Sequence, residues 1–317
     1  MHAIEYERRR LGKTGLQVPV LGIGGAQLGR RGGTHDEHLG VDTVLAALEA
    51  GIDLIDTSAS YIGGESERYI GIALQEWYRR GHRREDLIIE SKAGSRQRPH
   101  DYSYDAIMSS TELSLRALQT DYLDVMLVHD PEEIEPVLAP HAARDALLDL
   151  KRQGVIQHLG LGCRPHAHHQ ACIATGDFEV SLTFRDHNLI ERSALAGVVE
   201  PAVAADVGLF NASIMLSGLL GGDDPVRVAA SAAGVAPDQV EMTEELRRAR
   251  RMHDWCTARG LDLHVVNLHY CLRETRFASV LLGFSTPDRV AQNIAAYQQE
   301  VDPAVWEELD RDFPDFA

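Results

Sequence analysis

The sequence predicts an α/β fold, a (β/α)8 barrel in one domain spanning residues 1–317. Two observations carry that expectation. Short apolar runs alternate with amphipathic stretches of helical period from Val20 to Phe284, and strands alternating with helices argue for a parallel sheet. The runs number eight, at about 20–23, 53–56, 87–91, 124–128, 157–161, 179–183, 208–212 and 280–284, the number that closes a barrel. The competing architecture is an open doubly wound sheet. It normally carries a glycine fingerprint in its first βα turn. Here Gly22 and Gly24 start such a pattern, but its last position is Gln27 and a Gly/Arg-rich loop follows where a helix should start.

The elements follow in order. Residues 7–25 read as a hairpin punctuated by Gly15 and Pro19, then a first strand. In Asp36–Ala50 the residues Leu39, Val41, Val44, Leu45 and Leu48 fall mostly on one helical face, and Gly51 stops the helix. Strand 52–55 leads through a polar turn into a helix over Ser66–Arg79, with Tyr69, Ile70, Ala73, Leu74 and Trp77 inward. Strand LIIES runs into Lys92, and helix 104–118 leads to YLDVMLV and His129. Helix 144–153 precedes strand 156–161, and a weaker helix covers 166–175. Between strands seven and eight lies room for a loop insertion, with residues 221–240 crossing the barrel mouth, and two helices. Gly12-Lys13-Thr14 is no phosphate loop, because Arg8 stands where that motif needs glycine.

Composition narrows the function. A net charge of −17 disfavours nucleic acid and anionic membrane as partners. No apolar run is long enough to span a bilayer, and the polar N-terminus has no secretory h-region. Four cysteines without C-x-x-C spacing suggest reduced thiols in a cytoplasmic protein. His166, His168 and His169 have a metal-like spacing but lack a further ligand, so no metal is expected.

The chemistry gathers at three successive strand ends: Asp56 and Tyr61 after the second, Lys92 at the third, His129 at the fourth. In a barrel these ends open on one pocket. A tyrosine is a weak acid or base at neutral pH, with an ordinary pKa of about 10. A lysine ammonium beside it stabilises the phenolate. Asp56 would hold Lys92 charged, His129 would hydrogen-bond a substrate oxygen, and Tyr61 would move the proton. Arg185-Asp186-His187, after the sixth strand, could touch substrate hydroxyls or form a salt-bridged loop.

These residues also carry a family likeness. Asp56-Thr57-Ser58-Ala59-Ser60-Tyr61 with Gly64 and Ser66-Glu67, Ser91-Lys92, Asp121 through His129, and Gly283 through Asn293 resemble, in order, four motifs of the aldo-keto reductases. The pattern is most similar to the branch of L-galactose, L-fucose and D-threo-aldose 1-dehydrogenases. The resemblance implies NADP(H) or NAD(H) bound across the barrel mouth. Ser285, Thr286 and Arg289 would hold the adenosine phosphate end, with Gly283 and Gln292 in the same motif and Asn293 at the adenine. Ser213, Gly218 and Leu219 would line the pyrophosphate. Departures fall at Gly162-Cys163, Leu182 and Ala212, where the family often grips the nicotinamide, and at Ile62, where it usually has glycine.

The implied activity is hydride transfer between nicotinamide and a sugar or small carbonyl substrate, with Tyr61 as general acid/base. The alternatives are an NADPH-dependent aldehyde or ketone reductase and, from another class, a cofactor-binding regulatory subunit. Arg289 favours a 2′-phosphate, whereas Gly283 and Phe284 replace the Lys-Ser pair of many NADP-specific members.

Overall fold

The computed structural model describes residues 4–316. Eight parallel strands close a barrel in sequential order: β1 (Leu21–Gly24), β2 (Leu54–Asp56), β3 (Ile88–Ala93), β4 (Leu123–His129), β5 (Ile156–Gly162), β6 (Val180–Phe184), β7 (Gly208–Ala212) and β8 (Ser279–Gly283). The register pairs Asp56 with Glu90, Lys92 with Leu127 and His129 with Gly162. That staircase brings the chemically active strand ends to one level.

Alternation along each strand sorts side chains into two cores. Inside the barrel pack Leu54, Ile88, Val125, Leu127, Val180, Leu182, Phe210 and Leu281. Outside, residues such as Ile23, Ile55, Ile89 and Met126 meet the helices. Leu11 and Val18 belong to the interior core, because the N-terminal hairpin Arg8–Arg10/Gln17–Pro19 caps one end. Truncating a residue such as the fully buried Leu127 to alanine would cost about 2–5 kcal/mol.

Two of the first helices begin at a side-chain cap, Asp36 and Ser103. Helix α1 (Glu37–Glu49) starts at Asp36, whose carboxylate accepts from the Leu39 N–H at 2.8 Å. Helix α2 is Glu65–Arg79, α3 Tyr104–Leu118, α4 Ala143–Arg152, α5 His166–Thr175 and α6 Glu200–Ala204.

The stretch between β7 and β8 differs from expectation. It holds three helices, α7 (Pro225–Ala233), α8 (Glu244–Ala258) and α9 (Leu263–Arg273). Residues 225–233, read from sequence as loop, are helical because Asp224 caps Val226 N–H at 2.9 Å, Pro225 opens the first turn and the run is alanine-rich. Helix α10 (Pro287–Tyr297) follows β8, and α11 (Pro303–Asp312) packs Trp306 and Leu309 with Met252 and Trp255 of α8.

Candidate active site

Strand β2 runs Leu54–Asp56 with its apolar residues fully buried, and its last residue delivers a carboxylate into the barrel. Lys92, on β3, faces the same interior. Its Nζ donates to Asp56 Oδ1 and, at 2.8 Å, to the Thr57 carbonyl. Both side chains are buried. A buried ion pair of this kind is tolerable only when each partner finds the other. Burial works against the Lys92 ammonium, but Asp56, Tyr61 and Glu90 more than offset it, so its pKa rises and the group stays charged.

The loop after β2 is folded so that Tyr61 returns over that charge. Ser66 Oγ donates to the Gly25 carbonyl at 2.9 Å and pairs with Thr57 Oγ1 at 2.8 Å. A Cβ on Gly25 would lie 2.7 Å from Ser66 Oγ, so that position has no room for a side chain. Glu67 is buried between Ser91 Oγ at 2.7 Å and Arg96 Nη2 at 3.1 Å. Ile62 sits at φ +55°, a left-handed conformation that a β-branched residue rarely adopts. That explains why glycine is usual there in the pattern which this loop resembles.

Lys92 Nζ lies 4.8 Å from the centre of the Tyr61 ring, and the His129 ring stands edge-on to it at 5.5 Å. Burial pushes the Tyr61 phenol up to about 12, with Lys92 pulling the other way. Burial, then Lys92 and His100, hold the His129 pKa well below the usual imidazole range, so the ring is neutral at pH 7. The structure therefore brings Asp56, Tyr61, Lys92 and His129 into one cluster at the ends of β2, β3 and β4.

Three serines complete the cluster and escaped the sequence reading as functional groups. Ser95, Ser58 and Ser60 place hydroxyls 2.6, 2.9 and 3.4 Å from His129 Nδ1. Ser58 Oγ accepts from the Ser60 N–H at 3.2 Å, which leaves its O–H free to donate to Nδ1. Tyr102 O–H donates to the His129 carbonyl at 2.8 Å. On the other side of the ring, Asp130 Oδ2 is 3.5 Å from Nε2. Asp130 takes φ +44°, and burial, opposed by Lys92 and His100, raises its pKa.

Residues 20–311 of the sequence match the aldo/keto reductase family. The chain belongs to that family. It is accordingly an NAD(P)-dependent oxidoreductase of the barrel type. It is similar to L-galactose dehydrogenase of Arabidopsis thaliana, 29% identical over 92% of this chain and 88% of that one. It is similar also to D-threo-aldose 1-dehydrogenase of a Pseudomonas species, 27% identical over 93% and 94%. The holo form of an aldo-keto reductase from Bacillus halodurans shares the fold, with a TM-score of 0.79, 23% identity and coverage of 99% and 98%.

In this aldo-keto reductase the residues expected at the cofactor lie beyond β7 and β8. A cleft of about 750 Å³ is lined by Gly221, Gly222, His264, Arg289 and Gln292 among others. Thr286 Oγ1 accepts from the Arg289 N–H at 3.2 Å and so caps α10, whose N-terminus is a natural phosphate site. Among the described residues Arg289 has no ionic partner, so its charge is free for an anion. The cleft's size and free arginine fit the adenosine end of a dinucleotide. Of the residues expected at the cofactor, Arg289 and Gln292 line this cleft, whereas Ser213, Gly218 and Leu219, on the loop after β7, and Gly283, Ser285 and Thr286, at and just after the end of β8, are not among its lining. Asn293 is buried, 2.8 Å from His264 Nε2, and His264 is the residue that reaches the cleft.

The positions that depart from the usual nicotinamide grip are apolar or turned away. Leu182 belongs to the barrel core and Ala212 packs against it. The Cys163 thiol faces His169 at 3.5 Å, and burial raises its pKa. Arg185-Asp186-His187 forms a salt-bridged loop. Arg185 grips both oxygens of Glu245 at 2.8 and 2.7 Å, Asp186 bonds His166 at 2.9 Å, and His187 is buried beside Tyr270 and Phe277. His166 and His169 are thus engaged separately, and no cluster fit for a metal occurs among the described residues. Nor is any helix among them long and apolar enough to cross a membrane.

Proposed function

We infer that this protein oxidises a sugar, transferring hydride from the substrate carbon to nicotinamide with Tyr61 as the general acid/base. The observation that carries the reading is the meeting of Tyr61, the Lys92–Asp56 pair and a neutral His129 in one cluster. The bound cofactor supplies C4 of its nicotinamide as hydride acceptor or donor; the protein's part is to hold the substrate oxygen and handle its proton. We assign the ring proton to Nε2, which faces the Asp130 carboxylate at 3.5 Å, with Nδ1 accepting from the serine hydroxyls around it. Nε2–H then donates to the substrate oxygen. In oxidation that oxygen gives its proton to the Tyr61 phenolate, which Lys92 stabilises. In reduction the phenol returns it.

Asp130 favours the sugar reading over a plain carbonyl reductase. Its carboxylate beside Nε2 is an acceptor, which suits a hydroxyl-bearing substrate and offers a bare carbonyl nothing. The relatives named for L-galactose and D-threo-aldoses point the same way. A relative in Escherichia coli named NADH-specific methylglyoxal reductase, 26% identical over 90% of this chain and 92% of that one, supports the small-aldehyde alternative. In the cleft Arg289 attracts a 2′-phosphate, whereas Asp223 and Asp262 oppose one. We place the enzyme in the cytoplasm, with a small-molecule substrate.

Initial rates decide between the readings. L-Galactose, L-fucose and D-threo-aldoses, oxidised with NAD+ and NADP+, are compared with hydroxyl-free aldehydes reduced by NADH and NADPH. A kcat/KM at least about tenfold higher for a sugar supports the dehydrogenase, a difference of about 1.4 kcal/mol. The reverse order contradicts it. Asp130→Asn is expected to lower sugar turnover about 10-fold or more, with a smaller effect on aldehydes.

A further inference from the structure

Glu90 is a second carboxyl inside the catalytic cluster that neither the family match nor the mechanism above uses. Strand alternation puts Ile88, Glu90 and Lys92 of β3 on one face. Ile88 belongs to the barrel-interior core, while the intervening Ile89 packs in the outer core and Ser91 bonds Glu67 of α2. Glu90 therefore points into the barrel, and it is fully buried.

Its surroundings contain no donor for an ionised carboxylate. Neither oxygen has a hydrogen-bond partner among the described residues. Lys92 Nζ is 3.9 Å away, beyond hydrogen-bond distance, and is already held by Asp56 and the Thr57 carbonyl. The register sets Glu90 beside Asp56 on β2 and Val125 on β4. The charged groups facing it are thus Asp56 from β2 and Lys92 from β3 itself, and β4 contributes only the apolar Val125 and Leu127. One cation stands between two carboxyls. A dry pair of carboxyls with a single cation cannot both ionise without a large penalty. A proton on Glu90 removes the surplus charge and gives Glu90 a donor, with Asp56 as acceptor.

We propose that Glu90 is held as the neutral carboxylic acid beside the Asp56–Lys92 pair, and that its proton governs how strongly Lys92 acts on Tyr61. With the proton on, the cluster of Lys92, Asp56 and Glu90 is neutral overall and Lys92 stabilises the phenolate. With the proton off, the cluster carries one negative charge, which opposes ionisation of Tyr61. Burial first, then the Asp56 carboxylate, keeps Glu90's pKa well above the ordinary range, so the proton is lost only as pH rises past that range. Glu90 is a positioning residue: it acts through Lys92 and touches no reacting atom. This regulatory half rests on the reading of Tyr61 as acid/base; the protonation half does not.

Two measurements test the halves separately. The first is carbon NMR of the wild-type protein with 13C-labelled glutamate carboxyls, titrated with cofactor bound. One glutamate is expected to remain protonated at pH 7 and to disappear from the protonated set in Glu90→Gln. Full ionisation of every glutamate carboxyl at pH 7 overturns the proposal, whether or not the enzyme turns over and whether or not the variant folds. The second is the pH profile of kcat/KM for wild type and Glu90→Gln. Glutamine keeps the shape and the neutrality but cannot lose a proton. The alkaline limb is expected to move up by about one pH unit or more in the variant. Superimposable alkaline limbs overturn the regulatory half.

Discussion

Two regions of this barrel do different work with different materials. At the ends of β2, β3 and β4 the active groups are side chains set against one another around a buried ion pair: Lys92 on Asp56, a neutral His129 on three serines, and the half-buried Tyr61 across both. Beyond β7 and β8 the cleft is open. It is lined by Gly221, Gly222 and Gly260, by one face of α10 and by the exposed Arg289. In the first region water is excluded, so each charge is strong and each loss is severe. In the second, solvent shares every interaction, so each residue contributes modestly and loops can vary. Chemistry therefore belongs to the first region and cofactor choice to the second.

Substitutions can break or sharpen that contrast. The largest effect is expected from Lys92→Met, which removes the cation facing Tyr61. Turnover should fall by about 10²–10⁴-fold in steady-state assays, with the dissociation constant for NAD(P)H within about threefold of wild type. A matching loss of cofactor affinity would erase the division between regions. Asp56→Asn comes next. It strands a buried ammonium, and breaking such a pair costs about 3–5 kcal/mol, measured as a lowered midpoint in urea. Glu90 can lose its proton to solvent in that variant and face the Lys92 ammonium as a carboxylate, so the loss should sit at the lower end of the range. Arg289→Ala tests the open cleft. The dissociation constant for NADPH should rise by about 10–100-fold, because a hydrogen bond to a charged group contributes about 1.5–3 kcal/mol. NADH binding and kcat at saturating cofactor should change far less.

A smaller effect concerns pH and stability. Burial holds His169 and His187 at about 4 in the fold, against an ordinary 6.5. Below pH 6.5 the unfolded chain takes up protons that the folded chain refuses until about pH 4. Each histidine's contribution is thus complete above 6.5 and lost as pH falls through that window, on the order of 1–3 kcal/mol apiece. His187→Phe, set between Tyr270 and Phe277, should flatten the fall in thermal midpoint between pH 6.5 and 4. An unchanged slope would show that His187 is not held neutral.

The same contrast explains what the sequence discloses. Strands and their ends are legible because alternation and apolar runs are local signals. β7 lies at 208–212 as expected and α3 at 104–118, and Asp56, Lys92 and His129 follow from standing at strand ends. Glu90 was equally readable, a carboxylate two residues before Lys92 and so on its face, but a single acidic residue in an apolar run gives no hint of its partners. The serine trio is harder, since Ser58, Ser60 and Ser95 meet His129 only through the barrel's closure. The cofactor side is least legible. Asn293 and His264 are 29 residues apart, and nothing in either stretch says which one faces the cleft. Helix α7 was hidden because it is short and set between Gly221-Gly222 and Gly234, with Pro225 opening it and Pro237 beyond it, a density of turn residues that reads as loop.

The most direct test of the central claim is Tyr61→Phe, assayed for turnover on the best substrate and for cofactor binding by fluorescence titration. Phenylalanine keeps the ring over Lys92 and removes only the hydroxyl. The expected result is a loss of about 10²–10⁴-fold in kcat with the NAD(P)H titration curve unchanged. Turnover within about twofold of wild type, a difference well below 1 kcal/mol, would contradict Tyr61 as the group that moves the proton.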